Sequence, residues 1–161
     1  MSAAGGLAKR SHEENWLPIL ELAIQEVFEI MLGCKVKPVA PAEHQANTEY
    51  TAMVGLAGAL CGILTVCCDG KTAGQIATCM LGDAAGSEEQ AADALGEICN
   101  MITGNFKNKL AGTDEQCMLS VPSVISGGEY SFRSLAEGDT IETALLFEGA
   151  PVFIRLQLHT S

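Results

Sequence analysis

The run Glu88–Leu110 (EEQAADALGEICNMITGNFKNKL) limits the possible folds of this chain more than any other stretch. At about 100° per residue, the advance of an α-helix, Ala91, Leu95, Ile98, Cys99, Ile102, Phe106 and Leu110 fall on one side. An apolar stripe with that period predicts a helix laid against a core. Ser87 with Gln90 three residues on supplies a capping box at its start. On the far side Asp93, Glu97, Asn100 and Gly104 fall within an arc of roughly 60°. Glu97 and Asn100, three residues apart, are therefore surface neighbours turned away from the stripe.

The remaining segments surround this helix with strands. Trp16, Leu17, Leu20, Ala23, Ile24, Val27, Phe28 and Met31 have helical period, and Pro18 is tolerated in a first turn. A helix is expected from Asn15 or Trp16, closed by Gly33, with residues 1–12 a flexible tail before a single domain of residues 13–161. A short strand is expected near Lys35–Val39. Tyr50–Cys68 contains no charged residue and includes Gly58 and Gly62 at the Gly-x-x-x-Gly spacing of paired membrane helices. Acidic flanks (Glu49, Asp69), internal glycines and β-favouring ends instead indicate a hairpin, with strands at about 49–56 and 61–68. Asp69-Gly70-Lys71-Thr72 resembles the end of a phosphate-binding loop. Thr65 stands where that loop needs its first glycine, so Asp69 is read as the cap of a short helix, Lys71–Leu81.

Gly112 is expected to stop the central helix. Beyond it β-like segments occupy about Cys117–Ile125, Thr140–Phe147 and Pro151–His159, with a strand fragment near Tyr130–Arg133. Glu148-Gly149-Ala150 joins the last two as a hairpin loop. Hairpin-joined strands and interspersed helices indicate an α+β fold, a largely antiparallel sheet packed with helices in two layers. The Glu97–Asn100 pair then sits on the outer face of the long helix.

Charge and cysteine usage exclude some functions. A net charge of −11 would repel nucleic-acid phosphates. The seven cysteines show no Cys-x-x-Cys pair and no histidine at zinc-finger spacing, as expected of reduced, partly buried thiols in a cytoplasmic protein. A metal site from Cys67, Cys68 and His44 has no spacing signature behind it, so no metal is expected. His12, His44 and His159 have no evident catalytic partner.

The frame Asp93-Ala-Leu-Gly-Glu97-Ile-Cys-Asn100-Met-Ile-Thr-Gly104-Asn105 resembles the Glu-x-x-Asn active-site motif of the CheC/CheX family of chemotaxis phosphatases, with its following apolar pair and Gly-Asn. The motif occurs once, as in the single-site CheX branch. The resemblance implies hydrolysis of the aspartyl-phosphate of a CheY-like response-regulator receiver domain. Glu97 and Asn100 would be the catalytic pair: Asn100 would place the attacking water, and Glu97 would pair with the regulator's lysine. Gly96 and Gly104 would leave room for the partner's backbone. It further implies a homodimer with no cofactor of its own, the Mg2+ belonging to the response regulator, and no nucleic-acid or membrane partner. Without the resemblance, Glu97 and Asn100 are ordinary solvated residues. Asp93 solubilises the face, and Asn105, roughly 140° around from Asn100, should bond a neighbouring loop. Two other readings compete. One is a non-catalytic module of the same fold that docks a receiver or a flagellar-switch-type partner. The other is a metal-dependent hydrolase built on the cysteines.

Overall fold

The computed structural model describes residues 2–43, 48–58, 60–82, 86–110, 117–127 and 139–158. In chain order the elements are helix α1 (Ser2–Leu32), strand β1 (Pro38–Val39), a 3-10 turn (Pro41–Glu43), β2 (Tyr50–Gly58), β3 (Gly62–Cys68), α2 (Gly70–Leu81), α3 (Glu88–Lys109), β4 (Cys117–Leu119), β5 (Ser123–Ser126), β6 (Thr140–Phe147) and β7 (Ala150–Leu158). The strands form one sheet in the order β1-β6-β7-β3-β2-β4, with β5 also on β2, and every pairing is antiparallel. This is the expected α+β arrangement.

The sheet has two unlike faces because alternate residues point to opposite sides. Ala52, Val54 and Leu56 of β2, Leu64 and Val66 of β3, and Val152, Ile154 and Leu156 of β7 are buried on the face that meets the helices. α3 lies across that face, with Leu95, Ile98, Cys99, Ile102 and Phe106 fully buried. Trp16 of α1 meets the Phe106 ring edge-on at 6.3 Å, and Phe28 meets Phe147 at 5.8 Å. α2 packs beside α3 and buries Ala73, Ile76 and Ala77.

Both helix caps read from the sequence are present. The Asp69 side chain accepts from the Thr72 N–H at 2.7 Å, and Ser87 and Gln90 form the reciprocal capping box. The last hairpin turns on Glu148 and Gly149, both at positive φ, as a two-residue loop that matches strand twist requires. The Gly58–Gly62 spacing belongs to the β2–β3 hairpin. Gly58 has φ +132°, and a Cβ at Gly62 would stand 2.4 Å from the Gln157 carbonyl oxygen, so β7 could not approach a larger residue. Among the described residues no helix is long and apolar enough to cross a membrane.

Two boundaries differ from expectation. The first helix begins at Ser2, inside the segment expected to be a tail, so Pro18 lies within it and not in its first turn. Residues 2–14 are rich in helix formers (Ala3, Ala4, Leu7, Ala8, Glu13, Glu14), which carry the helix backwards. Pro18 removes one backbone bond in the helix interior. The strand expected over Cys117–Ile125 is broken into β4 and β5. Leu119 pairs with Leu56 and Ser123 with Met53, so Ser120–Pro122 oppose only Val54 and Gly55. This is a one-residue β-bulge, placed where Pro122 offers no N–H to the ladder. The expected stop at Gly112 and strand fragment near Tyr130–Arg133 lie outside the described residues, as do His44 and His159.

Candidate functional site: the outer face of helix α3

With its apolar side against the sheet, α3 turns Asp93, Glu97, Asn100 and Gly104 toward the edge of the helical layer. Glu97 and Asp93 are exposed; Asn100 and Gly104 are half-buried. Among the described residues neither Glu97 nor Asn100 has a side-chain hydrogen-bond partner. Their polar groups are therefore available to a visiting molecule.

The two glycines differ. Gly96 is buried, and a Cβ there would stand 3.2 Å from Val124 Cγ2 and 3.6 Å from Pro122 Cβ. The room at Gly96 is taken up by this chain's own edge strand, not left open to a partner's backbone. Among the described residues, the only neighbour within 4 Å of a Cβ at Gly104 would be Leu119 Cδ1, at 3.8 Å. The row Gly96, Asn100, Gly104 is thus bordered by β4, the bulge and β5. Sequence reasoning missed this border; its one local signal was Pro122 inside a β-like run. Ser120 holds the bulge in place: its N–H donates to the Gly55 carbonyl at 2.9 Å, and its Oγ accepts from the Gly55 N–H at 2.8 Å.

The rest of α3 fastens the helix. Asn105 Nδ2 donates to the Ala23 carbonyl at 3.3 Å and to Glu26 Oε2 at 2.9 Å, so its partner is helix α1 where a loop was expected. Lys109 also holds Glu26, at 2.9 Å. The Asn105 amide, then the Lys109 ammonium, lower the Glu26 carboxyl below its ordinary pKa. Thr103 Oγ1 donates to the Cys99 carbonyl at 2.7 Å on the buried side.

Two of the buried cysteines are held as thiols. Burial pushes the Cys99 thiol up to about 12, and burial, followed by Asp69, does the same for Cys68. Neither is a thiolate near neutral pH, and thiolate is the nucleophilic and metal-binding form. Among the described residues no three His, Cys, Asp or Glu side chains gather as metal ligands. A cavity of about 430 Å³ lies between α2 and the start of α3 and is lined by residues including Tyr50, Lys71, Gln75, Ser87 and Glu88, not by Glu97 or Asn100. Small molecules are held in concave pockets; an open helix face suits a macromolecular partner.

The sequence model of the family described as Chemotaxis phosphatase CheX matches residues 50–144. The chain belongs to the CheX family. That span runs from β2 through α3 into β6 and contains the whole Glu97–Gly104 face. Among solved structures, the chemotaxis protein CheX from Vibrio vulnificus is 26% identical with a TM-score of 0.76, covering 90% of this chain and 97% of that one. CheX from Desulfovibrio desulfuricans shares 24% identity with a TM-score of 0.74, covering 88% and 97%. A CheX from Borrelia burgdorferi, solved in complex with CheY, BeF3 and Mg2+, shares the fold at 21% identity and a TM-score of 0.72, covering 91% and 99%. No curated protein matches the chain.

Proposed function

We propose that this CheX-family protein is a phosphatase that hydrolyses the aspartyl-phosphate of a CheY-like receiver domain, with Glu97 and Asn100 as its catalytic residues. The observation that carries this reading is the pair itself. Among the described residues, a carboxylate and a carboxamide one turn apart stand without a side-chain partner on the outer face of a helix whose other side is locked into the core. The complex of a related fold with CheY, BeF3 and Mg2+ supports a receiver as the partner.

An acyl phosphate is intrinsically labile, so a helper protein needs mainly to place water in line with phosphorus. The Asn100 carboxamide can accept from and donate to one water, and carries no charge to repel the phosphoryl group. The water oxygen forms the new bond to phosphorus as the bond to the aspartyl oxygen breaks. The electron pair leaves with the carboxylate, giving aspartate and inorganic phosphate. Glu97 would pair with the receiver's lysine and set the docking register. Magnesium belongs to the receiver and stays with the substrate. The same reading makes the protein a cytoplasmic homodimer, an unpaired sheet edge being a physical route to association.

The test is phosphate release from a panel of phosphorylated receivers. Asn100→Ala should lose the acceleration while still binding the receiver; an Asn100→Ala variant with full activity refutes the assignment. A non-catalytic docking module would instead bind phosphorylated and unphosphorylated receivers equally, with no acceleration by the wild type.

A further inference from the structure

The bulge between β4 and β5 borders the candidate site, and it carries Val121, 84% exposed. Its level along α3 follows from the glycine contacts. Gly96 abuts Pro122 and Val124, and Gly104 abuts Leu119, so strand and helix run in opposite directions past each other. From Gly96 to Gly104 the helix rises about 12 Å, and Leu119 to Ser123, opposite Leu56 to Met53, spans about 10 Å. The midpoint of the first is Asn100; the midpoint of the second is Val121. The extra residue of the bulge therefore puts an apolar side chain into solvent at the level of the proposed catalytic amide.

An ordinary edge strand would be blunted with charge or proline. Here Pro122 blunts the ladder, while Ser120 clamps the end of β4 to Gly55 through two bonds. The Ser120 Oγ also donates to the Val121 carbonyl at 3.2 Å, so the exposed residue sits on a held backbone. A fixed apolar group beside a polar pair is the arrangement of a contact residue, whose burial on docking adds affinity without entering the chemistry.

We propose that Val121 is the apolar contact by which this protein grips the receiver domain, packing against the receiver while Asn100 reaches its phosphoryl group. This rests on the receiver-phosphatase reading above. Val121 contributes to KM and to the choice among receivers; Asn100 contributes to turnover. Ile125, in β5 just beyond the bulge at 40% exposure, pairs with Thr51 on the opposite sheet face and serves as the control.

The experiment measures phosphate release at varied receiver concentration for wild type, Val121→Ser, Ile125→Ser and Asn100→Ala. Binding to a receiver loaded with beryllium trifluoride and magnesium is measured in parallel. Val121→Ser should raise KM and the dissociation constant about tenfold, the loss of a partly buried valine contact, with kcat and sedimentation unchanged. Ile125→Ser should behave as wild type. A Val121→Ser variant with unchanged KM and affinity overturns the proposal, as does an equal effect of Ile125→Ser or an altered oligomeric mass. If wild type releases phosphate from no receiver, the phosphatase reading falls. The binding arm then still decides Val121: about tenfold weaker binding upholds the contact and unchanged binding removes it.

Discussion

The contact between α3 and β5 can be measured by placing one methyl group at each of two glycines. Gly96 and Gly104 lie two turns apart in the middle of one helix, so replacing either by alanine gains the same intrinsic helix propensity, about 1 kcal/mol. They differ in what the new Cβ meets. At Gly104 it would find Leu119 Cδ1 at 3.8 Å, an ordinary contact. At Gly96 it would find Val124 Cγ2 at 3.2 Å with Pro122 behind it at 3.6 Å. Forcing a methyl into a packed site costs about 1–3 kcal/mol. Gly104→Ala should therefore stabilise the protein by about 1 kcal/mol, while Gly96→Ala comes out between neutral and about 2 kcal/mol destabilised. The propensity gain cancels between the two, leaving a gap of about 1–3 kcal/mol that reports the crowding alone. Urea denaturation followed by circular dichroism would read it as a difference in midpoint at constant slope. In a thermal scan it corresponds to roughly 2–4 °C per kcal/mol for a chain of this length. If the two variants agree within about 0.5 kcal/mol, the scatter expected of independent surface changes, β5 is not seated against α3 at Gly96. The border drawn around Asn100 would then be wrong.

Three further outcomes follow from particular contacts. Because Asn105 and Lys109 hold Glu26 in its charged form, the stability that this carboxylate adds is complete above the ordinary value of 4.5 and is lost as pH falls through the lowered folded value. The advantage of wild type over Glu26→Gln in urea should accordingly shrink as pH falls below about 4.5; a constant or widening gap would contradict the α1–α3 tie. Asp69→Ala removes the acceptor of the Thr72 N–H and should cost about 1 kcal/mol by the same assay, with Asp69→Asn nearly neutral. Phe106, fully buried and edge-on to Trp16, should cost about 3–5 kcal/mol as Phe106→Ala, and a loss under 1 kcal/mol would mean that α3 is not the central helix of the core.

What could be read without coordinates was what local chain physics settles. The 3.6-residue stripe of α3, the capping pairs Ser87–Gln90 and Asp69–Thr72, and the turn at Glu148-Gly149 each depend on residues within a few positions of one another. All four stand in the structure as expected. The orientation of Glu97 and Asn100 is local in the same sense, since a helix with one apolar side has only one direction left for its polar side. The start of α1 was misplaced because Pro18 is a strong local stop, and the helix-forming residues before it outweigh the lost bond. The features that frame the site are of another kind. Nothing within Cys117–Ser126 alone specifies that three residues will face two on β2, because a bulge is a property of register between strands more than sixty residues apart in sequence. Gly96 likewise looks free on a helical wheel and is covered only because that strand passes beside it. The proposed chemistry therefore rests on an i, i+3 pair, which a helix provides by itself, whereas the wall beside that pair exists only once the sheet has closed. If Val121 grips the receiver as proposed, changes in the bulge will retune which partner is held while leaving the Glu97–Asn100 pair in place, provided Ser120 still fastens the strand to Gly55.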